Sequence, residues 1–395
     1  MTLITTREEL TNARNLCWEE HLEALRNNTE RRREFDNRAL EYGEVTMRFF
    51  FNKKGEPGPN GYPVYIALHG GGQSDTPHIN DNQWRHQHTY YFNSVKDGIC
   101  IAPHGVRDTW NTHFNPESYP LYDRLIEDLA AYEYVDLNRV YILGFSAGGD
   151  GVYGITPYMP DRFAAANMSA GHPNKLDLTN LYNMPLELQV GEWDAAYDRN
   201  HETARYSMYL NRLAAKYGGG YEHQLFVHYH KPHNFRDNEP YREPQEVLAN
   251  IDGWMLDNIE ETVKVNTNAI DFVNRYQRDP LPRRVIWNLA LRAPLRDVNS
   301  HYWLETASSI NDGIIIAYYK KCDNSITIEE CTIPGDFKVL VNEDMLDVFA
   351  PVTIRYPNRS ETIYLKPDMD IIRRTTAERG DRNYQFCAEI LIHQM

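Results

Sequence analysis

The chain has no basic segment followed by an apolar core at its start. Met1 leads through Thr-Leu-Ile-Thr-Thr into charged residues, so no secretory leader is expected and a cytoplasmic location is the simplest reading. Apolar runs long enough to span a bilayer are also missing, so no membrane partner is expected. Basic residues are in deficit. Lys+Arg number 41 against 56 Asp+Glu, a net charge of −15, which argues against nucleic acid or an anionic membrane surface as a partner, since both require a basic patch. Cysteine is sparse. Cys17, Cys100, Cys322, Cys331 and Cys387 are odd in number and widely spaced, resembling neither a disulfide framework nor a zinc site. Neither repeats nor low-complexity tracts interrupt the chain.

What is present is ample for folding. With 395 residues and 42% apolar composition, the chain is longer than one core usually serves, and two domains are expected. Thr6 to Leu40 lacks Gly and Pro, and Thr6 with Glu9 forms a capping-box pattern. This stretch reads as one or two helices, and residues 1–43 as a helical segment packed on a larger domain. Residues 44–282 alternate short apolar runs with helical periodicity, the pattern of a mostly parallel sheet flanked by helices. Runs at Glu44–Asn52, Pro63–Gly70, Gly98–His104, Val140–Leu143, Arg162–Gly171, Pro185–Gly191 and Tyr221–Tyr229 read as strands. Asp123–Tyr134 and His201–Tyr217 read as helices. Asp279-Pro-Leu-Pro282 punctuates the chain, and residues 283–395 read as a mainly antiparallel β domain in which Met369–Glu378 alone is helical.

The chemistry concentrates at Gly144-Phe145-Ser146-Ala147-Gly148, a G-x-S-x-G pattern directly after the strand Val140–Leu143. A serine on a sharp strand-to-helix turn needs glycine two residues before and after, and the turn lifts its hydroxyl to the sheet edge beside a helix N-terminus. A serine hydroxyl is a weak nucleophile without a base, usually a histidine oriented by a carboxylate. Later strands supply both in the order acid, then histidine. Gly191-Glu-Trp-Asp194 follows one strand and makes Asp194 the candidate acid, with Asp198 as its rival. His230-Lys-Pro-His233 follows the next strand and makes His233 the candidate base, with His230 as the alternative. Charge developing on a substrate oxygen needs N–H donors, for which Ala147 and Gly71 of the His69-Gly-Gly-Gly run are the candidates. All of these precede residue 283, so the C-terminal region is expected to supply no catalytic group.

The segments Leu68–Gln73, Gly144–Gly149, Tyr158–Ala164 and Gly191–Asp194 together resemble serine esterases related to polyhydroxybutyrate depolymerases and feruloyl esterases. The resemblance covers roughly residues 45–260 and implies an α/β-hydrolase fold and a Ser-His-Asp triad, with some relatives described as predicted peptidases. The segments Arg283–Trp287, Tyr302–Leu304, Asn342–Asp347 and Pro351–Thr353 resemble a carboxyl-terminal β extension of some members. The first oxyanion position, often cysteine after His-Gly in that family, is Gly71 here.

Trp110, His113, Tyr153 and Trp193 lie near these loops and are candidates to line a substrate pocket, Trp110 and Trp193 foremost. His86-Gln-His88 and His228-Tyr-His230 could each pair imidazoles on one strand face, but no carboxylate or cysteine pattern completes a metal site. The expected activity is therefore cofactor- and metal-free hydrolysis of a small carboxylic ester through an acyl-enzyme. A serine peptidase of the same fold and an idle ligand-binding homologue are the alternatives, and nothing in the sequence speaks to oligomeric state.

Overall fold

The computed structural model describes residues 3–228, 231–235 and 269–393. The chain divides into two compact units. One comprises residues 33–125 and 134–278, the other residues 1–32, 126–133 and 279–395.

In chain order the elements begin with α1 (Arg7–Asn27) and α2 (Thr29–Asp36). They continue through β1 (Ala39–Tyr42), β2 (Val45–Lys54), β3 (Tyr62–Leu68), α3 (Ile79–Tyr90), β4 (Gly98–Pro103) and α4 (Ser118–Tyr132). Next come β5 (Val135–Phe145), α5 (Ala147–Ile155), β6 (Ala165–Ser169), β7 (Leu186–Gly191), α6 (Arg199–Tyr217), β8 (His223–His228) and α7 (Ala269–Val273). The eight strands form one sheet in the order β1-β2-β4-β3-β5-β6-β7-β8. The β1–β2 and β2–β4 pairs are antiparallel, and every later pair is parallel. That order, with a serine turn after β5, is the α/β-hydrolase fold.

The central strands β3 to β7 are largely buried on both faces, as parallel strands covered by helices are. Strands β3 and β4 are apolar almost throughout, whereas β6 and β7 also bury Asn167, Ser169, Glu187 and Gln189, which hydrogen-bond among themselves. Their carboxyl ends therefore emerge together along one edge, where Leu68, Phe145, Gly191 and His228 hand the chain to loops. Two local readings change. Leu40 belongs to a strand instead of the end of a helix, because Gly43 takes φ +57° and turns the chain into a β1–β2 hairpin with Tyr42 opposite Val45. Residues 79–90, which carry no strong apolar period, form α3 and bury Asn80, Trp84 and Gln87.

The second unit contains β9 (Arg284–Asn288), β10 (Ser300–His301), β11 (Leu304–Thr306), β12 (Ile314–Lys320) and β13 (Ser325–Cys331). It continues with β14 (Phe337–Val341), β15 (Val352–Arg355), β16 (Ser360–Ile363), α8 (Met369–Arg379) and β17 (Ala388–Ile392). A five-stranded sheet β16-β15-β13-β12-β9 and a four-stranded sheet β10-β11-β14-β17 enclose one apolar core. Pairing is antiparallel except for β13 with β15. Ile4, Leu10, Ala13 and Cys17 are buried in that same core. Residues 1–32 are thus part of this unit, and the segment expected over 1–43 is split between the two.

Candidate functional site

Ser146, directly after β5, has φ +59° and ψ −122°, a backbone conformation that costs energy for a non-glycine residue and persists only where its surroundings enforce it. Its N–H donates to the Ser169 carbonyl at 2.9 Å, and its own carbonyl accepts from Asp150 N–H at 3.0 Å. The flanking glycines are required by space. A Cβ on Gly144 would lie 2.0 Å from the Gly148 carbonyl oxygen, and one on Gly148 would lie 2.1 Å from that of Leu68. The turn raises the Ser146 hydroxyl directly before the N-terminus of α5.

The other two side chains arrive on the loops after β7 and β8. The loops are tied together. Glu192 N–H donates to His228 O at 3.0 Å and Trp193 N–H to Lys231 O at 2.9 Å. Gly191 lacks a Cβ where one would meet the Pro232 carbonyl oxygen at 2.3 Å. The result aligns three groups. His233 Nδ1 lies 2.8 Å from Asp194 Oδ2, and His233 Nε2 lies 3.0 Å from Ser146 Oγ. With Asp194 accepting from Nδ1–H, Nε2 is left to accept the serine proton. Asp194 is 1% exposed, whereas His233 is about one-third exposed and open to a reacting partner.

Asp198 takes no part. Its carboxylate binds His201 Nδ1 at 2.7 Å and Arg205 Nη1 at 2.7 Å at the start of α6, and these partners hold its pKa below the usual carboxylate range. The alternative base His230 lies outside the described residues.

The glycine run after β3 passes along the serine turn. A Cβ on Gly70 would come 3.3 Å from Ser146 Cβ, and one on Gly72 would come 3.4 Å from Ala147 Cβ. Gly71, between them, has φ +109°. Among the described residues neither its N–H nor that of Ala147 has a hydrogen-bond partner.

Two buried histidines support this run from below. His69 is fully buried. Its Nε2 accepts from Gly105 N–H at 3.0 Å, so its Nδ1–H donates to the Gly70 carbonyl at 2.6 Å. His113 Nε2–H donates to the His69 carbonyl at 2.8 Å. Burial pushes the pKa of His69 well down and that of His113 down to about 4, so both remain neutral near pH 7.

The pocket candidates part company here. His113 is buried and committed to the loop, and Tyr153 is wholly buried on α5, so neither lines an opening. Trp110 and Trp193 are more than half exposed, one following the glycine run's neighbour loop and the other preceding Asp194. The Trp110 carbonyl oxygen sits 3.7 Å from where a Gly72 Cβ would be. The paired-imidazole reading does not hold for His86 and His88, and that for His228 and His230 rests on a residue, His230, outside the described residues. His86 and His88 lie on α3, where residues two apart point to different sides, and His228 turns inward to Gln189 Oε1 at 2.7 Å. Among the described residues no group of three His, Cys, Asp or Glu could hold a metal ion.

Sequence reasoning missed Arg199, which has no motif to announce it. Its Nη1 lies 3.5 Å from Asp194 Oδ1, on the oxygen that His233 does not use, and donates to Ala196 O at 3.2 Å.

No family profile matches the chain, and no curated protein matches it. Solved structures similar to it include a thermostable esterase at 18% identity, covering 61% of this chain and 62% of that one, TM-score 0.37. Another is Est1E from Butyrivibrio proteoclasticus with ferulic acid bound, at 13% identity over 49% of this chain and 90% of that one, TM-score 0.34. A third is an acylaminoacyl peptidase of Pyrococcus horikoshii, at 12% identity over 50% of this chain and 37% of that one, TM-score 0.35. The chain thus spans less than two thirds of the first and third. Also among the described residues, no helix is long and apolar enough to cross a membrane.

Proposed function

We propose that the protein is a serine hydrolase that cleaves small carboxylic esters through an acyl-enzyme. The observation that carries this reading is the unbroken hydrogen-bonded chain from Asp194 through His233 to Ser146 at the start of α5. In the reaction Ser146 Oγ attacks the ester carbonyl while His233 Nε2 takes its proton. Asp194 holds the imidazole in the tautomer that leaves Nε2 free and stabilises the imidazolium. The oxyanion that forms is bound by the N–H groups of Gly71 and Ala147, both without a protein partner among the described residues. Collapse releases the alcohol, protonated by His233. Water, deprotonated by the same nitrogen, then attacks the acyl-serine to release the acid and restore the enzyme.

An ester is favoured over a peptide because its leaving group departs with less assistance, whereas an amide nitrogen must be protonated and its chain held in register. The exposed indoles of Trp110 and Trp193 suit a compact apolar acyl or aryl group. A fluorophosphonate probe should label the protein and leave Ser146→Ala unlabelled while that variant stays folded. Turnover of p-nitrophenyl esters should fall on the order of 10⁴-fold or more in Ser146→Ala. Peptide anilides cleaved faster than every ester in a matched panel would replace the esterase with a peptidase. An unlabelled wild-type protein would leave only ligand binding.

A further inference from the structure

The Gly70–Gly72 run has no regular secondary structure to hold it, yet an oxyanion donor must be fixed within a few tenths of an ångström to be useful before the reaction begins. One side chain outside the loop grips it at two points. Asn80, in the first turn of α3 and 4% exposed, accepts from Gly72 N–H through Oδ1 at 2.7 Å and donates from Nδ2 to the Gly72 carbonyl at 3.1 Å. Its second amide hydrogen goes to Asp108 Oδ1 at 2.6 Å. With both donors and the acceptor engaged, the amide has one orientation, and Asp108 enforces it, because a flipped amide would set oxygen against carboxylate. Gly71 completes the fit. A Cβ there would lie 2.3 Å from Asn80 Oδ1, so only glycine allows the asparagine this close.

We propose that Asn80, oriented by Asp108, is a positioning residue that sets the Gly71 N–H for the oxyanion, a role that rests on Ser146 being the nucleophile. The clamp consumes the Gly72 N–H and leaves that of Gly71 free among the described residues. It anchors the run from α3 on one side while the run borders Ser146 and Ala147 on the other. No step passes through Asn80 itself. It acts by keeping a neighbouring N–H in place before charge develops, so its removal should weaken binding of the transition state more than that of the substrate.

The test measures p-nitrophenyl ester kinetics, fluorophosphonate labelling rate and affinity for a boronic acid, which forms a tetrahedral adduct on serine, in wild type, Asn80→Ala, Asp108→Ala and Asp108→Asn. Asn80→Ala should lower kcat about 10- to 100-fold with KM changed less than about threefold, the range seen when a supporting partner is removed. Boronate affinity should fall by the same factor as kcat/KM. Asp108 is exposed, so its variants are expected to fold even if Asn80→Ala does not. Asp108→Ala should lose several-fold in kcat, and Asp108→Asn should recover most of that loss by offering an oxygen to the same amide hydrogen. Folded Asn80→Ala or Asp108→Ala with wild-type kcat and boronate affinity would overturn the clamp. So would a loss of kcat with boronate affinity intact. Failure of the wild-type protein to label at all would instead overturn the serine hydrolase reading on which the clamp rests.

Discussion

Two aspartates four residues apart, Asp194 and Asp198, compete in the sequence for one role, and their environments separate them. Asp194 is buried against His233 and Arg199, while Asp198 is half exposed and engaged with its own helix. Asp194→Asn should cost roughly 10⁴-fold in turnover, since an amide favours the wrong imidazole tautomer, as in serine proteases. Asp198→Asn should change turnover less than about tenfold, since the ion pairs it removes are largely solvated. Steady-state rates on one activated ester decide it, and equal losses would mean the carboxylate was misassigned. At this scale the sequence was informative where a residue type follows a strand at the right place: Ser146, Asp194 and His233 all do. It was silent on Asn80, Asp108 and Arg199. Their partners, Gly72 for Asn80, Asn80 for Asp108 and Asp194 for Arg199, are reached through loop conformation, and no spacing rule records such pairs.

At the level of elements, near-continuous apolar runs made β3 and β4 readable, as in strands buried on both faces. Strands β6 to β8 were readable from apolar residues interspersed with buried polar ones such as Asn167, Glu187, Gln189 and Gln224. The helix α3 escaped notice for the converse reason. Its sequence Ile-Asn-Asp-Asn-Gln-Trp-Arg-His-Gln-His-Thr-Tyr has little apolar period, and the face it buries is partly polar, Asn80 and Gln87 beside Trp84. The strand–turn–helix unit around Ser146 is specified by steric exclusion, which predicts a sharp contrast between glycines. Gly144→Ala would drive a methyl group to 2.0 Å from the Gly148 carbonyl oxygen, and the turn must open to admit it. Gly58→Ala meets only an ordinary contact at 3.6 Å to the Gly61 carbonyl oxygen. Urea denaturation should show Gly144→Ala destabilised by at least about 2 kcal/mol, or unable to fold, with Gly58→Ala within about 1 kcal/mol of wild type. Comparable midpoints for the two variants would show that the elbow tolerates a side chain and that its glycine pattern has another origin.

Over the whole molecule, the sequence indicated two bodies and their β and α/β character but misjudged where the N-terminal helix belongs. Ile4, Leu10, Ala13 and Cys17 form an apolar stripe that any core could accept, and only the three-dimensional structure shows them in the core built by residues 285–392. A second property of the whole, its response to acid, follows from three histidines of the α/β unit kept neutral by burial. The pKa of His69 is pushed well below its ordinary value, that of His113 to about 4 and that of His228 to about 3, in each case first of all by desolvation. In the unfolded chain each would titrate near 6.5. Between these limits the unfolded state binds more protons than the folded one, so stability falls as pH drops through about 6.5 and is insensitive to these groups only from about one unit above it. Each histidine contributes up to one proton to the slope, so the three together set an upper bound of roughly 4 kcal/mol per pH unit. Unfolding free energies measured in urea at pH 7.5, 6.5 and 5.5 should fall by about 1 kcal/mol at most across the first interval and about three times as much across the second. His228→Gln, which replaces the ring with a neutral amide beside Gln189, should reduce the acid slope by close to one proton even if it lowers stability at pH 7.5. A slope unchanged by that substitution would mean that His228 takes up its proton in the folded state and that the acid response arises elsewhere.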